Sequence, residues 1–207
     1  MNEAELKQLI SRAENNNIKA NVDLGNYYIK LPQTKDNRRK AFYYYKRAAD
    51  LGYAPAQFKV GQLSYIGDGT EKNSSTAAHY LQMAVDQNYA DAQYSLACMY
   101  KNKECGYIAT EQKAFQLFTK AAEQGHANAQ ISLGYIYFFE KKQIDQALFW
   151  WACAYAHGQS NANASDDAKQ RMIDAVESGI PGGYDRVNAA IEKVKQRQYD
   201  RYTHNPK

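Results

Sequence analysis

The chain has 207 residues, with 26 lysines and arginines against 22 acidic residues and a formal net charge of +4. This length allows one or two domains, and so small a charge does not by itself indicate nucleic-acid binding. A mean hydropathy of −0.73, with no run of about 18 apolar residues, argues against a membrane span. The acidic start from Met1 to Ile10 is unlike a secretory signal, so we expect a soluble, cytoplasmic protein.

The first predicted element is a single helix over residues 2–15. Leu6, Ile10 and Ala13 follow one another at helical spacing and form its apolar face. Three asparagines, residues 15–17, then end the helix because asparagine is common at helix boundaries.

An internal repeat follows, and its first block occurs four times. The blocks share an alanine, an aliphatic residue and a small residue at positions 1, 5 and 6, which lie on one face of a helix. They begin 36, 36 and 37 residues apart, at Ala20, Ala56, Ala92 and Ala129.

A second block follows each first block and predicts a second helix. Its aromatic and small residues recur on one helical face. The blocks begin at Ala41, Ala77, Ala114 and Ala147. They end at residue types that tolerate the left-handed conformation of a helix C-terminus, which are Gly52, Asn88, Gly125 and Gly158.

Each repeat is therefore an antiparallel helix pair with an apolar flank that only a neighbouring repeat can cover. This pattern predicts an all-α fold, a right-handed α-solenoid of four helix-turn-helix repeats within residues 18–158. The repeats span about 20–55, 56–91, 92–128 and 129–158, and the last has a shortened turn between its helices.

The remaining residues, 159–207, predict two further helices. One starts at the acidic pair Asp166–Asp167, residues 178–183 break it, and the other spans Tyr184–Tyr202. Because an open solenoid end exposes apolar surface, we expect residues 159–207 and 1–17 to form C-terminal and N-terminal caps.

The repeats resemble the Sel1-like repeat, a relative of the tetratricopeptide repeat. The similarity is greatest over Lys120–Gln130, and Tyr65–Thr70 is similar to the turn between the family's two helices. Only the second repeat keeps the Gly-x-Gly turn, and Ser64 and Ala97 replace the usual tyrosine and glycine. The resemblance implies an α-solenoid that binds another protein.

Motifs for catalysis or metal binding are missing. The three cysteines, Cys98, Cys105 and Cys153, match neither a zinc pattern nor a disulfide framework, and the four histidines lack metal-ligand spacing. No nucleotide-binding or nucleophile motif occurs. We therefore predict no metal, no cofactor and no catalytic residue.

Basic residues cluster just before the second block of the first repeat: Lys35, Arg38, Arg39 and Lys40. With the interleaved aromatics of residues 42–45, they could bind single-stranded nucleic acid. Tyr44 and Tyr45, however, occupy packing positions of the repeat. A solvated basic loop, or one that steers an acidic protein partner, is the favoured interpretation.

A second stripe on the first helices, at positions 3, 7 and 10, is unused by repeat packing and predicts a concave binding groove. An alternative is that position 3 packs against the adjacent repeat. Tyr65, Tyr135 and Phe138 are the strongest candidates for partner contacts. The full stripe is Val22, Asn26, Ile29, Phe58, Gln62, Tyr65, Tyr94, Cys98, Lys101, Ile131, Tyr135 and Phe138.

Together these features predict a noncatalytic adaptor or scaffold that binds a protein partner in the solenoid groove. The alternative within the binding class is a bacterial immunity protein that neutralises a toxin effector by direct binding. The competing classes are a nucleic-acid-binding module, whose affinity would fall steeply with salt, and an enzyme, which would cluster polar groups with shifted pKa values in one pocket.

Overall fold

The structure is a computed structural model that describes residues 2–104, 111–157 and 162–204. These residues form eleven α-helices and one π-helical segment, and no strand occurs among them. The predicted all-α fold class is confirmed. The chain divides into two compact units, Met1–Ala114 and Phe115–Lys207. Cys105 and Gly158 lie outside the described residues.

The first unit contains the N-terminal helix and the helices of the first repeats. They are α1 (Glu3–Glu14), α2 (Ile18–Lys30), α3 (Lys35–Asp50), α4 (Ala54–Ile66), α5 (Ser74–Asp86) and α6 (Ala90–Lys101). Helices α2 and α3 pack as one pair and α4 and α5 as the next, while α3 contacts α4 and α5 contacts α6. Each pair thus covers the flank of its neighbour, as the repeat pattern predicts.

Side chains and backbone conformation fix the ends of these helices. Asn17, Thr34 and Asn73 cap α2, α3 and α5 by accepting a backbone N–H. The predicted left-handed residues are confirmed at two repeat ends here, with φ of +91° at Gly52 and +60° at Asn88.

The core of the first unit is built from the shared repeat positions. Ala20, Leu24, Ala56 and Val60 are fully buried or nearly so. On the apolar face of α1, Leu6, Leu9 and Ile10 pack against this core. The hydrophobic free energy of this contact holds the N-terminal helix on the first repeat.

The second unit contains the rest of the chain. Its elements are α7 (Glu111–Glu123), α8 (Ala127–Tyr135), the π-helical segment (Ile136–Glu140), α9 (Ile144–His157), α10 (Ala162–Glu177) and α11 (Gly183–His204). The boundary between the two units falls within α7, after Ala114. Helices α8, α10 and α11 all pack on α9. Gly125, before α8, has a φ of +89° and confirms a third predicted repeat end.

The predicted start of α10 is wrong. The helix begins at Ala162 rather than at Asp166–Asp167, so its first turn carries no acid. Two alanines favour helix in that added turn, and Asp167 instead lies 3.3 Å from Arg171 in an i, i+4 ion pair. The predicted break after α10 is confirmed, with positive φ at Gly179 and Gly182. None of the described helices is long and apolar enough to cross a bilayer.

Candidate functional site

The first helices of three successive repeats line a cavity of about 400 Å³ in the first unit. Ile29 comes from α2, Tyr65 from α4, and Tyr94 and Cys98 from α6. Gln62 also lines it, so five residues of the predicted stripe meet at one cavity. We call it the groove cavity.

Two polar contacts orient the Tyr65 side chain in the groove cavity. Its hydroxyl donates to Oε2 of Glu104 at 2.5 Å, and Nζ of Lys72 lies 5.5 Å from the ring centroid. The ring is half-buried. Such a fixed side chain loses little conformational entropy when a partner covers it.

Cys98 gives the groove cavity no nucleophile at neutral pH. Burial raises the pKa of its thiol, although a hydrogen bond with Tyr94 and the charge of Lys101 act in the opposite direction. The protonated thiol is a weak nucleophile. Within the described residues, no group of three or more potential metal ligands is found.

Two residues at position 3 of the stripe, Val22 and Phe58, pack within the fold. Val22 packs against the core of the first unit, and the Phe58 ring lies 5.6 Å from that of Tyr89. Both rings lie within residues 56–91, the second repeat, so Phe58 packs within its own repeat here, and packing against the adjacent repeat stays a prediction. Tyr94 is the position-3 residue that lines the groove cavity.

Two polar stripe residues lie outside the groove cavity's lining. Asn26 is exposed, and its Oδ1 accepts a hydrogen bond from the Tyr45 hydroxyl at 2.8 Å. Lys101 is exposed at the end of α6. Asn26 thus orients a core tyrosine.

In the second unit, the stripe divides at the π-helical segment. The carbonyl of Ile131 accepts a hydrogen bond from Nε1 of Trp151 at 3.3 Å. The Tyr135 side chain is 40% exposed. Phe138 packs on Trp151 with 5.5 Å between ring centroids. A π-turn bonds residue i to i+5, so the 3.6-residue wheel that groups Phe138 with Tyr135 does not apply beyond Ile136.

The predicted basic loop is wrong, because Thr34 caps α3 and the helix already begins at Lys35. Three of the four predicted basic residues line another cavity in the first unit. Lys35, Arg38 and Arg39 border a space of about 640 Å³, which we call the basic cavity. Lys40 does not line it. The hydrogen bond to Asp36, at 2.7 Å, raises the pKa of Lys40.

The Gly-x-Gly turn between α4 and α5 forms a wall of the basic cavity. Gly67 and Gly69 have φ of +82° and +74°, a conformation that favours glycine. A Cβ atom on Gly69 would clash with the backbone carbonyl of Arg38. Asp68 lies between the glycines, with Oδ1 3.5 Å from the Arg38 guanidinium. The turn is thus held against the start of α3.

The sequence interpretation missed the buried amide side chain near the start of each repeat's first helix. The carboxamides of Asn21, Gln57 and Gln130 each donate to the carbonyl eight residues earlier, at 3.2, 3.2 and 3.0 Å. Gln93 is also buried and donates to Asn88. The sequence does contain a signal for these buried amides, because an asparagine or a glutamine occupies position 2 of every first block.

The four repeats match a known family of repeat proteins. Residues 18–53, 54–89, 90–126 and 127–159 each match the family model for the Sel1 repeat. A curated relative, chitin synthase regulatory factor 4 of Schizosaccharomyces pombe, is 30% identical over 142 residues, which make up 68% of this chain and 22% of that protein.

Two solved structures share the fold. A protective antigen of uropathogenic Escherichia coli strains, with an SLR fold, has a TM-score of 0.74 at 19% identity. The match covers 93% of this chain and 41% of the antigen chain. An immunity protein from Pseudomonas aeruginosa has a TM-score of 0.53 at 20% identity, covering 96% of this chain and 72% of that one. The fold is therefore that of the Sel1-like α-solenoids.

Proposed function

The chain belongs to the Sel1 repeat family, and on that premise we propose that it is a noncatalytic adaptor that binds a protein partner in the groove cavity. Sel1 repeats are typically protein-interaction modules. The observation that carries the proposal is the convergence of Ile29, Tyr65 and Tyr94 from three successive repeats at one cavity.

The chemistry of the groove cavity suits binding. Tyrosine supplies a large apolar face with a polar tip, and such residues are enriched among the side chains that dominate interface energies. Leu81 and Met99 extend the apolar lining at its base. The thiol of Cys98 stays protonated, so the cavity offers an apolar surface rather than a reactive group.

An immunity protein that neutralises a toxin effector by direct binding is a second candidate. The likeness to the immunity protein from Pseudomonas aeruginosa supports the fold that this role would use. Coexpression with the product of the neighbouring gene tests the role. Rescue of growth from a toxic product would support it, and unchanged toxicity would contradict it. The bacterial origin and the cytoplasmic location stay predictions.

Affinity capture from the native cell tests the adaptor proposal. The Tyr65→Ala/Tyr94→Ala double variant should lose partners that the wild type retains, because removing an aromatic anchor costs about 2 kcal/mol or more. Tyr184→Ala is the matched control, since Tyr184 is 70% exposed on α11 and should retain them. Equal capture by wild type and the double variant would contradict a role for the groove cavity.

Circular dichroism and thermal melting distinguish lost binding from lost folding. The milder Tyr65→Phe variant keeps the ring and removes only the hydroxyl that contacts Glu104. If Tyr65→Phe captures partners and Tyr65→Ala does not, at equal helicity, the ring itself makes the contact.

A further inference from the structure

The groove cavity and the basic cavity are neighbours within the first unit and share the Gly-x-Gly turn as a wall. Asp68 lines the groove cavity, whereas Gly67 and Gly69 on either side of it line the basic cavity. The end of α2 and the connection after it form a second shared border, because Ile29 of α2 lines the groove cavity and Gln33 of the connection lines the basic cavity. An extended polypeptide could therefore occupy both at once.

The basic cavity carries uncompensated positive charge. Three cations, Lys35, Arg38 and Arg39, line it together with one acid, Glu71. Arg38 is paired with Asp68. Lys35 and Arg39 make no ion pair with any residue that the structure describes. Desolvating these two cations against a neutral partner would be unfavourable, whereas carboxylates would compensate them.

We propose that the partner presents an extended segment with one large apolar side chain followed by acidic residues. The apolar side chain enters the groove cavity beside Tyr65, and the carboxylates lie against Lys35 and Arg39. This inference rests on the proposed adaptor function and adds the chemistry of the partner segment.

A protein segment fits this surface better than single-stranded nucleic acid does. Binding of successive bases uses several exposed aromatic faces for stacking. Among the aromatics beside the basic residues, Tyr43 is 51% exposed, and its ring contacts Tyr44 and the Arg47 guanidinium. Tyr44 stacks on Tyr28 with ring centroids 5.7 Å apart, and Tyr45 is buried. The phosphate-binding charge is therefore accompanied by the exposed Tyr43 ring alone among residues 43–45, rather than by a series of rings on which successive bases stack.

Three synthetic peptides test the inference by fluorescence anisotropy with the full chain. The first has a tryptophan, two glycines and four glutamates. In the second, lysines replace the glutamates, and in the third, alanine replaces the tryptophan. We expect the first peptide to bind at least about tenfold more tightly than either control, because it alone satisfies both cavities.

Charge-reversal variants locate the contact. Lys35→Glu/Arg39→Glu should weaken binding of the first peptide about tenfold or more. Lys19→Glu/Lys169→Glu changes the net charge equally at two exposed sites on other helices and should bind as the wild type does. Because charge reversal could perturb α3, Lys35→Gln/Arg39→Gln provides a milder second variant, and thermal melting checks that both fold.

Several outcomes would overturn the inference. Equal binding of the glutamate and lysine peptides would exclude charge recognition, and equal weakening by the control variant would make it nonspecific. Tighter binding of an oligothymidylate than of the first peptide would point to nucleic acid. If Tyr65→Ala/Tyr94→Ala loses captured partners while Lys35→Gln/Arg39→Gln retains them and no peptide binds, this inference fails and the adaptor function stands.

Discussion

The ring of Tyr45 lies directly against the backbone of Gly25. A Cβ atom placed on Gly25 would lie 2.7 Å from Cε1 of Tyr45, closer than two carbon atoms can approach without displacement. The same relationship recurs between Gly61 and Leu81, at 2.8 Å. Glycine at position 6 of the first helix therefore lets a large side chain of the second helix reach the backbone.

Adding a methyl group at this contact should destabilise the fold. We expect Gly25→Ala to lower the free energy of unfolding by about 1–3 kcal/mol, because overpacking outweighs the gain in helix propensity. Urea denaturation of the chain measures the change. Asp23→Ala, at an exposed position of the same helix, is the control and should change it by less than about 0.5 kcal/mol. A Gly25→Ala variant as stable as the wild type would contradict this account of helix pairing.

The helix pairs are predictable from sequence because each one satisfies a local rule. The alanine and leucine of the first blocks, such as Ala20 and Leu24, repeat with the period of a helix face, and both are fully buried. Residues that tolerate positive φ stand at the repeat ends. Repetition adds information, since four copies average out local departures such as Ser64 and Ala97.

The site is less predictable because its contacts join residues that are distant in sequence. Tyr65 and Glu104 are 39 residues apart, and no periodic pattern links them. The basic cavity needs the Gly-x-Gly turn to meet the start of α3, which depends on the packing of one repeat on the next. The π-helical segment, Ile136–Glu140, arises from a local change of hydrogen bonding that composition does not indicate.

Arg47 joins the N-terminal helix to the first repeat. Its Nη2 donates to the carbonyls of Ala13 and Glu14 at 3.0 and 3.3 Å, and to Oδ1 of Asn16 at 3.2 Å. The two carbonyls lie in the last turn of α1, where backbone carbonyls lack the i+4 partner of the helix interior. A positive charge there also interacts favourably with the helix dipole.

Removing this side chain should loosen α1. We expect Arg47→Ala to cost about 1–3 kcal/mol of stability, since hydrogen bonds from a charged donor are lost. Amide hydrogen exchange should accelerate over residues 3–14 before it does so elsewhere. Arg39→Ala removes an arginine from the same helix without these bonds and should leave that exchange unchanged. Unaltered exchange in Arg47→Ala would mean that apolar packing and the hydrogen bond from Asn21 to Ala13 hold α1 without Arg47.

Alkaline pH should destabilise the protein through Tyr89. Burial, together with a hydrogen bond to Asp91, raises the pKa of Tyr89 to about 12, whereas an unfolded tyrosine has a pKa of about 10. The unfolded chain therefore loses this proton first. The contribution of the protonated Tyr89 side chain to the free energy of unfolding is therefore complete below a pH of about 10. It is lost as the pH rises towards about 12.

The Tyr89→Phe variant tests this linkage. Its free energy of unfolding should fall less steeply between pH of about 10 and 12 than that of the wild type, because one titrating group is gone. Tyr184→Phe removes a tyrosine that is 70% exposed and serves as the control, with the slope of the wild type. Identical slopes for Tyr89→Phe and the wild type would contradict the raised pKa.

The central claim, that a protein partner occupies the groove cavity, is tested most directly by photocrosslinking. A p-benzoylphenylalanine introduced at Gln62, which is exposed and lines the cavity, should form a covalent adduct with the captured partner. The same group introduced at Gln82, exposed on α5 and outside the cavity lining, should form little or none. Adducts at Gln82 with none at Gln62 would place the partner elsewhere and contradict the account.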